Sequence, residues 1–167
     1  MALTCNIRLL VEAVQSNSLD GGVVAAPYKI DTGLIRLVSG IGYDQADLCF
    51  YDTRTLGGSS ENLDLVGGFT DAFGTTVSPA KIKAVIIANR SQSLVLGVKS
   101  AASNGWTGMS AGSTDAMSIR PASSQSYGYL VWWSPQGTTI TAGTGDSITI
   151  SGTTGQIYDI LVIGTSA

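Results

Sequence analysis

Two apolar runs rich in β-branched residues, close together in the middle of the chain, constrain its fold more than any other feature. Lys81–Ala88 reads KIKAVIIA and Ser93–Val98 reads SLVLGV, with the polar stretch Asn89–Gln92 between them. Isoleucine and valine favour the pleated surface of a sheet, whereas asparagine and serine tolerate tight bends. The pattern predicts that the two runs pair as a hairpin at the centre of an all-β domain.

The rest of the chain repeats this alternation of short apolar runs and turn residues. Ser16–Gly22 is a turn by composition, and Asp52–Asn62 is the most hydrophilic stretch, which predicts an exposed loop. Further strand candidates are Val23–Ile30, Leu34–Val38, Leu48–Tyr51, Met117–Arg120, Tyr127–Trp133, Thr138–Ala142, Ser147–Ser151 and Gln156–Gly164. About ten short strands, with turn signals roughly every 8–12 residues, indicate a β-sandwich or barrel.

We therefore predict a single-domain, all-β protein with a jelly-roll-like antiparallel β-sandwich over residues 16–167. Residues 1–15 are expected to form an N-terminal arm or a first strand. The arm contains the apolar run Leu9-Leu10-Val11, which is a candidate for strand exchange with a neighbouring subunit.

The low charge of the chain points to assembly rather than to an isolated monomer. Charged residues make up 13% of the sequence, against about 25% in typical soluble domains. Residues Pro121–Gly145 carry no charge at all. A surface this neutral exposes apolar or hydroxyl-rich patches unless other subunits cover it, which predicts a homo-oligomer. The net charge of −3 argues against nucleic-acid binding.

Most catalytic and metal-binding chemistry has no residues to support it. The chain has no histidine, which excludes Ser-His-Asp and Cys-His catalysis and histidine-containing zinc sites. Asp44, Asp47, Asp52, Glu61 and Asp64 lie close together in sequence but lack the calcium-loop pattern, and their spacing does not indicate a facing pair. We expect no enzymatic activity, no cofactor and no metal site.

Neither secretion nor membrane insertion is indicated. Cys5 and Cys49 each sit in an apolar context and are expected to be buried, reduced thiols, although a bridge between them remains an alternative. The N-terminal stretch has Arg8 and Glu12 where a signal peptide has its apolar core. No apolar run approaches the roughly 20 residues that a membrane helix needs.

Aromatic residues concentrate in the neutral second half and are the main candidates for a contact surface. The uncharged loop Ser100–Thr114 carries Trp106 and has the length of a binding or contact loop. The predicted interface residues are Trp106, Tyr127, Tyr129, Trp132 and Trp133, together with Leu9, Leu10 and Val11 of the arm. The aromatic group could instead form a sugar-binding platform, but core or interface packing is favoured.

Several stretches resemble small virion structural proteins of tailed bacteriophages. The resemblance spans roughly residues 34–164, most of the chain, and its motifs are structural rather than catalytic. The matching motifs are Gly42–Asp47 (GYDQAD), Tyr51–Leu56 (YDTRTL), Leu63–Gly74 (LDLVGGFTDAFG), Ala80–Ala84 (AKIKA), Ala142–Asp146 (AGTGD) and Tyr158–Gly164 (YDILVIG).

The resemblance implies a capsid cement, or decoration, protein. Such proteins are often jelly-roll or β-sandwich trimers on the capsid surface, where they bridge major capsid subunits and stabilise the phage head. This protein is then expected to be a homotrimer in the virion, made in the host cytoplasm, with the major capsid protein as its partner. The alternative is a tail or head-fibre component that binds host glycans.

Overall fold

The computed structural model describes residues 3–19, 22–121 and 127–167, and these residues form strands, turns and loops. The all-β prediction is confirmed. In chain order the strands are β1 (Cys5–Ile7), β2 (Leu10–Leu19), β3 (Gly22–Asp31), β4 (Ile35–Ser39), β5 (Gln45–Ala46), β6 (Leu48–Thr55), β7 (Ser60–Asp64), β8 (Phe69–Thr70), β9 (Thr76–Val77), β10 (Lys81–Asn89), β11 (Leu96–Ser100), β12 (Met117–Ile119), β13 (Gly128–Thr139), β14 (Ser147–Ser151) and β15 (Ile157–Thr165).

Two four-stranded antiparallel sheets pack face to face as a β-sandwich. The first sheet has the order β13-β10-β15-β6, and the second has the order β12-β11-β14-β7. Alternate residues of each strand point between the sheets, so that Val85, Ile87 and Ile160 of the first sheet join Val98 and Ile150 of the second in one core cluster. This burial of two apolar sheet faces is the main stabilising contribution to the domain.

The strands of the sandwich also pair as one continuous ribbon. Of these eight strands, the first in sequence pairs with the last (β6 with β15), the second with the seventh (β7 with β14), the third with the sixth (β10 with β13) and the fourth with the fifth (β11 with β12). The chain thus runs out and back as a two-stranded ribbon that reverses between β11 and β12. The ribbon wraps so that successive strand pairs alternate between the sheets. The pairs β6–β15 and β10–β13 lie in the first sheet, and β7–β14 and β11–β12 lie in the second.

The predicted hairpin between the two central runs is wrong. The first run lies within β10, and the last three residues of the second run begin β11. However, β10 pairs with β13 and β15 in the first sheet, whereas β11 pairs with β12 and β14 in the second. The polar connection that follows Asn89 crosses from one sheet to the other. A turn composition signals that the chain reverses, but it does not specify that the flanking strands bond to each other.

Strand boundaries differ from the predictions where polar residues continue a strand. β2 extends through Leu19, so most of the predicted turn Ser16–Gly22 is strand, and β2 also crosses the predicted boundary at residue 15. β6 continues to Thr55 and β7 begins at Ser60, which leaves only the middle of Asp52–Asn62 as a loop. Serine, asparagine and threonine on a solvent-facing strand edge are compatible with pairing, which composition alone does not reveal.

A small three-stranded sheet covers part of the outer surface of the first sheet. Its order is β1-β4-β5, and its Leu37 and Ala46 pack against Ala84 and Ile163 of the first sheet. The two cysteines lie partly buried in this second cluster as free thiols. Burial raises the pKa of both Cys5 and Cys49, which keeps them protonated and poorly nucleophilic.

A buried amide pair holds the crossing between the two sheets. The Asn89 side-chain amide donates to the Leu94 carbonyl (2.7 Å) and to the Ile119 carbonyl (3.1 Å). Its oxygen accepts from the Gln156 amide at 3.1 Å, and both side chains are fully buried. The Gln156 oxygen in turn accepts from the Thr153 backbone N–H at 3.0 Å. The pair therefore satisfies backbone groups from three segments at one end of the sandwich.

Replacing the Asn89 amide by a carboxylate should strongly destabilise the fold. In Asn89→Asp the two carbonyls lose their donor and face a buried negative oxygen, so we expect the free energy of unfolding to fall by about 3 kcal/mol or more. Asn62→Asp is the matched control, because Asn62 is exposed and its oxygen only accepts from Thr149 (2.7 Å), which an aspartate also does. Urea denaturation of both variants tests this expectation, and an equal loss in the two would contradict it.

Candidate functional site

A long two-stranded hairpin, β2–β3, is the most exposed part of the protein. Its strands pair in one register from Leu10 opposite Asp31 to Leu19 opposite Gly22. Every described side chain in it is exposed except that of Ala26, which is partly buried. An isolated hairpin with both faces in water is only marginally stable. A surface of this kind is typical of a segment that another molecule covers.

The two faces of the β2–β3 hairpin differ in charge. Because directly paired residues share a face, one face contains Val11 with Ile30, Ala13 with Tyr28, and Gln15 with Ala26. None of these six residues is charged, and we call this the apolar face of the hairpin. The opposite face contains Glu12 and Lys29, whose charged groups lie 3.6 Å apart, and also Asp31.

Polar contacts at its root tie the hairpin to the small sheet. The Arg8 guanidinium donates to both oxygens of Asp31, at 3.2 and 2.8 Å. The Asp31 carboxylate also accepts from the Gly33 N–H at 2.9 Å, where a positive φ of 67° suits glycine. These two donors lower the pKa of Asp31. The two strands of the hairpin are continuous with β1 and β4, which also pair with each other. The hairpin is therefore attached to the small sheet at a fixed position.

The outer face of the first sheet is only partly covered by the small sheet. Residues paired across β13, β10, β15 and β6 form rows on this face. The row Trp133–Ala84–Ile163–Cys49 lies under the small sheet. The next two rows, Val131–Ile86–Leu161–Tyr51 and Tyr129–Ala88–Asp159–Thr53, form what we call the open sheet face. Tyr129 and Tyr51 are each 62% exposed there, and Val131 is 48% exposed.

The single charge on the open sheet face is compensated within the protein. Asp159 accepts from the Thr53 hydroxyl at 2.6 Å and from the Arg90 guanidinium at 3.3 Å. Arg90 also lies over the Tyr127 ring, 5.5 Å from its centroid. The open sheet face is therefore an apolar and aromatic surface with one neutralised ion pair at its edge.

A groove of about 570 Å³ continues the open sheet face beyond β6. Tyr51 belongs to both surfaces, and the far wall of the groove is the β8–β9 connection with Phe73, which is 76% exposed. Asp71 in this connection accepts from the backbone N–H groups of Phe73 (2.9 Å) and Thr75 (2.8 Å), which shapes the loop. The groove is therefore lined by exposed aromatic residues, and hydrogen bonds to Asp71 hold the conformation of the loop that carries Phe73.

The structure separates the predicted interface residues into two groups. Tyr127 and Tyr129 are exposed beside the open sheet face, and Leu9, Leu10 and Val11 are exposed at the base of the hairpin. Trp106 is only 2% exposed, donates from its indole N–H to the Thr139 carbonyl (3.2 Å) and meets the Trp132 ring edge-on. Trp132 packs against the core, and Trp133 packs in the cluster under the small sheet. The three tryptophans therefore do not form an exposed platform.

Other exposed residues of the two surfaces were not predicted. Val131 lies on the same face of β13 as Tyr129, because residues two apart in a strand point the same way. The sequence does contain this alternation. Tyr51, Tyr28 and Ile30 join the surfaces only through strand register, which no local pattern in the sequence specifies.

Among residues 3–19, 22–121 and 127–167, no group of three or more His, Cys, Asp or Glu side chains could hold a metal ion. The same residues contain no helix with the length and apolarity needed to cross a membrane. Comparison with protein-family models, with curated proteins and with solved structures found no match in any of the three.

Because the aromatic residues differ in burial, truncating them should change the free energy of unfolding by very different amounts. Trp106→Ala should lower the free energy of unfolding by about 3–5 kcal/mol, because it leaves a large cavity and an unpaired carbonyl. Tyr129→Ala, at a site exposed in the single chain, should change it by less than about 0.5 kcal/mol when measured at a dilution at which the protein is monomeric. Thermal and urea denaturation monitored by circular dichroism distinguish the two, and a well-folded, fully stable Trp106→Ala protein would contradict the buried position.

Proposed function

We propose that this protein is a structural protein of the tailed-phage virion, a capsid cement protein that forms homotrimers and bridges major capsid subunits. The observation that carries the proposal is the pair of uncovered apolar surfaces on one small protein, the β2–β3 hairpin and the open sheet face. Exposed patches of this extent mark contact sites. The motif resemblance supplies the virion as the place where those contacts form.

The connectivity of the sandwich supports this assignment. We infer that the wrapped eight-stranded ribbon is a jelly roll, because a double-sheet jelly roll consists of eight antiparallel strands in two Greek keys. Jelly-roll sandwiches are common among virion proteins, and the fold resemblance implied by the sequence motifs includes this architecture. The buried ionisable residue Lys83 makes structural contacts, since its ammonium group donates to the backbone carbonyls of Gly42 and Pro135.

A cement protein acts by holding several neighbours at once. Each contact made by a weakly charged, apolar surface can be modest, because linked contacts raise the effective concentration of one another and so the total affinity by orders of magnitude. A trimer at a three-fold position of the shell presents three copies of every contact surface. The role requires a rigid sandwich that positions exposed contact elements, and it requires no covalent chemistry.

Native mass and capsid binding test the proposal directly. We expect the purified protein to sediment as a trimer, and to co-sediment with phage heads that lack it but not with free major capsid subunits. Heads that carry it should also withstand higher temperature before releasing DNA. A protein that stays monomeric at all concentrations and does not bind the heads would contradict the proposal.

Glycan binding by a fibre component is the second candidate, and the groove beside β6 is the observation in its favour. Tyr51 and Phe73 are exposed aromatic residues of the kind that stack on sugars, and Thr70, Asp47 and Asp71 add polar groups to the lining.

Replacing Phe73 separates the two candidates. If the groove holds a glycan, Phe73→Ala should abolish binding on a host-polysaccharide array while leaving the fold intact, since Phe73 is exposed. Tyr43→Ala, at another exposed aromatic residue, serves as the control. If the wild-type protein binds no polysaccharide on the array, the glycan candidate is rejected.

A further inference from the structure

We infer that the apolar face of the β2–β3 hairpin of one copy docks across the open sheet face of a second copy. This inference rests on the homo-oligomer of the proposed function, and it identifies the two surfaces that form the contact between subunits. The partner is thus another molecule of this same chain. The contact would be a two-stranded ribbon lying over a four-stranded sheet, with the strands crossing near a right angle.

The two surfaces match in chemistry. The hairpin offers Val11, Tyr28 and Ile30, with Ile30 65% exposed and Val11 46% exposed. The open sheet face offers Val131, Tyr129 and Tyr51. Docking would bury β-branched and aromatic side chains from both copies, which is the composition that dominates contact energetics.

The two surfaces also match in charge. The apolar face of the hairpin has no charged residue, and its ion pair between Glu12 and Lys29 stays on the opposite face in water. On the sheet, Asp159 already accepts from Thr53 and Arg90. No unpaired charge is therefore buried between these two faces. The groove carboxylates Asp47 and Asp71 already accept hydrogen bonds, from the Ser166 N–H and from the Phe73 and Thr75 N–H groups, so the contact avoids a large desolvation penalty.

Their dimensions agree as well. A ten-residue hairpin is roughly 33 Å long and about 10 Å wide, and four strands span about 19 Å. The groove beside β6, which shares Tyr51 with the open sheet face, extends the receiving surface past the edge of the sheet. The two exposed rows lie about 7 Å apart along the strands, so each hairpin strand could lie over one row.

The buried area supports exchange between two copies. One hairpin that lies with its full length over the open sheet face and the adjoining groove covers roughly 330 Å² on each partner, or about 660 Å² in total, of which the sheet itself accounts for about 190 Å² on each partner. Reciprocal docking, in which each copy donates a hairpin and receives one, doubles this to about 1,300 Å², within the range of stable interfaces. In a ring, each copy likewise donates and receives once, and contacts between the bodies add to the total.

A second copy is favoured over the same chain as the acceptor. Within one chain the apolar face remains exposed, and the Arg8–Asp31 pair together with the β1–β4 ladder fixes the attachment of the hairpin. Because every copy carries both surfaces, the complementary pair is complete in any two molecules.

Charge insertion on each surface tests the docking. Val11→Lys/Ile30→Lys alters the apolar face of the hairpin, and Val131→Lys alters the open sheet face. Val14→Lys is the matched control, because Val14 is also exposed but lies on the opposite face of the hairpin. In sedimentation velocity we expect both surface variants to need at least about tenfold higher concentration than the wild type to assemble, and the control to match the wild type. Matching far-UV circular dichroism spectra, and equal thermal midpoints at a dilution at which every protein is monomeric, would show that all variants fold.

Mixing the two assembly-defective variants gives the sharper test. One variant keeps an intact sheet face and the other an intact hairpin, so an equimolar mixture can form mixed pairs held by one docked hairpin. Two fluorescent labels should therefore co-sediment at concentrations at which neither variant assembles alone. The inference is overturned if the mixture assembles no better than either variant alone, if Val14→Lys dissociates as readily, or if neither surface variant weakens assembly. An oligomer that binds heads but ignores these substitutions would overturn only the docking. Rescue by mixing without head binding would overturn only the cement function.

Discussion

The structure depends on β10, a strand that has one face in the core and the other face partly covered by the small sheet. One face supplies Ile82, Val85 and Ile87 to the sandwich core, and Ala84 on the other face lies under the small sheet. A nearly continuous apolar run suits a central strand with little water on either side. Its neighbours β13 and β15 come from far along the chain, so the placement of β10 determines how the long ribbon wraps.

Several of the buried polar groups serve this architecture. Tyr158 of the first sheet donates to Glu61 of the second at 2.6 Å, and Arg54 donates to the same carboxylate at 2.9 Å. Burial and the neighbouring Glu61 raise the pKa of Tyr158 well above its ordinary value, so the hydroxyl remains a donor. Where the chain crosses from β10 to the second sheet, the Gln156 side-chain amide donates a hydrogen bond to the Asn89 oxygen. The usual arrangement, with apolar side chains inside and polar side chains outside, is thus partly reversed. Polar side chains join the two sheets, and apolar side chains are exposed on the hairpin.

Local patterns in the sequence predict which segments are strands but not which strands meet. The isoleucine and valine content of Lys81–Ala88 predicts a buried strand, and the alternation of Tyr127–Trp133 places Tyr129 and Val131 on one face. The wrong hairpin and the wrong turn at Ser16–Gly22 share a cause, since both were inferred from composition where long-range register decides. Trp106 lies in an uncharged loop that looked exposed, yet Thr139, 33 residues further on, accepts its N–H and the ring is buried.

The attachment of the β2–β3 hairpin has a mechanical consequence. A pull on its tip would act on β2 and β3 in the same direction, so it would leave the hydrogen bonds between them unloaded and pass equally into β1 and β4. Those two strands are clamped by Cys5, Ile7 and Leu37 against the outside of the first sheet. Tension would therefore be resisted by sliding of packed apolar surfaces, a shear load shared by many side chains at once. The hairpin can accordingly act as a tether whose strength is set by the small sheet rather than by its own ladder.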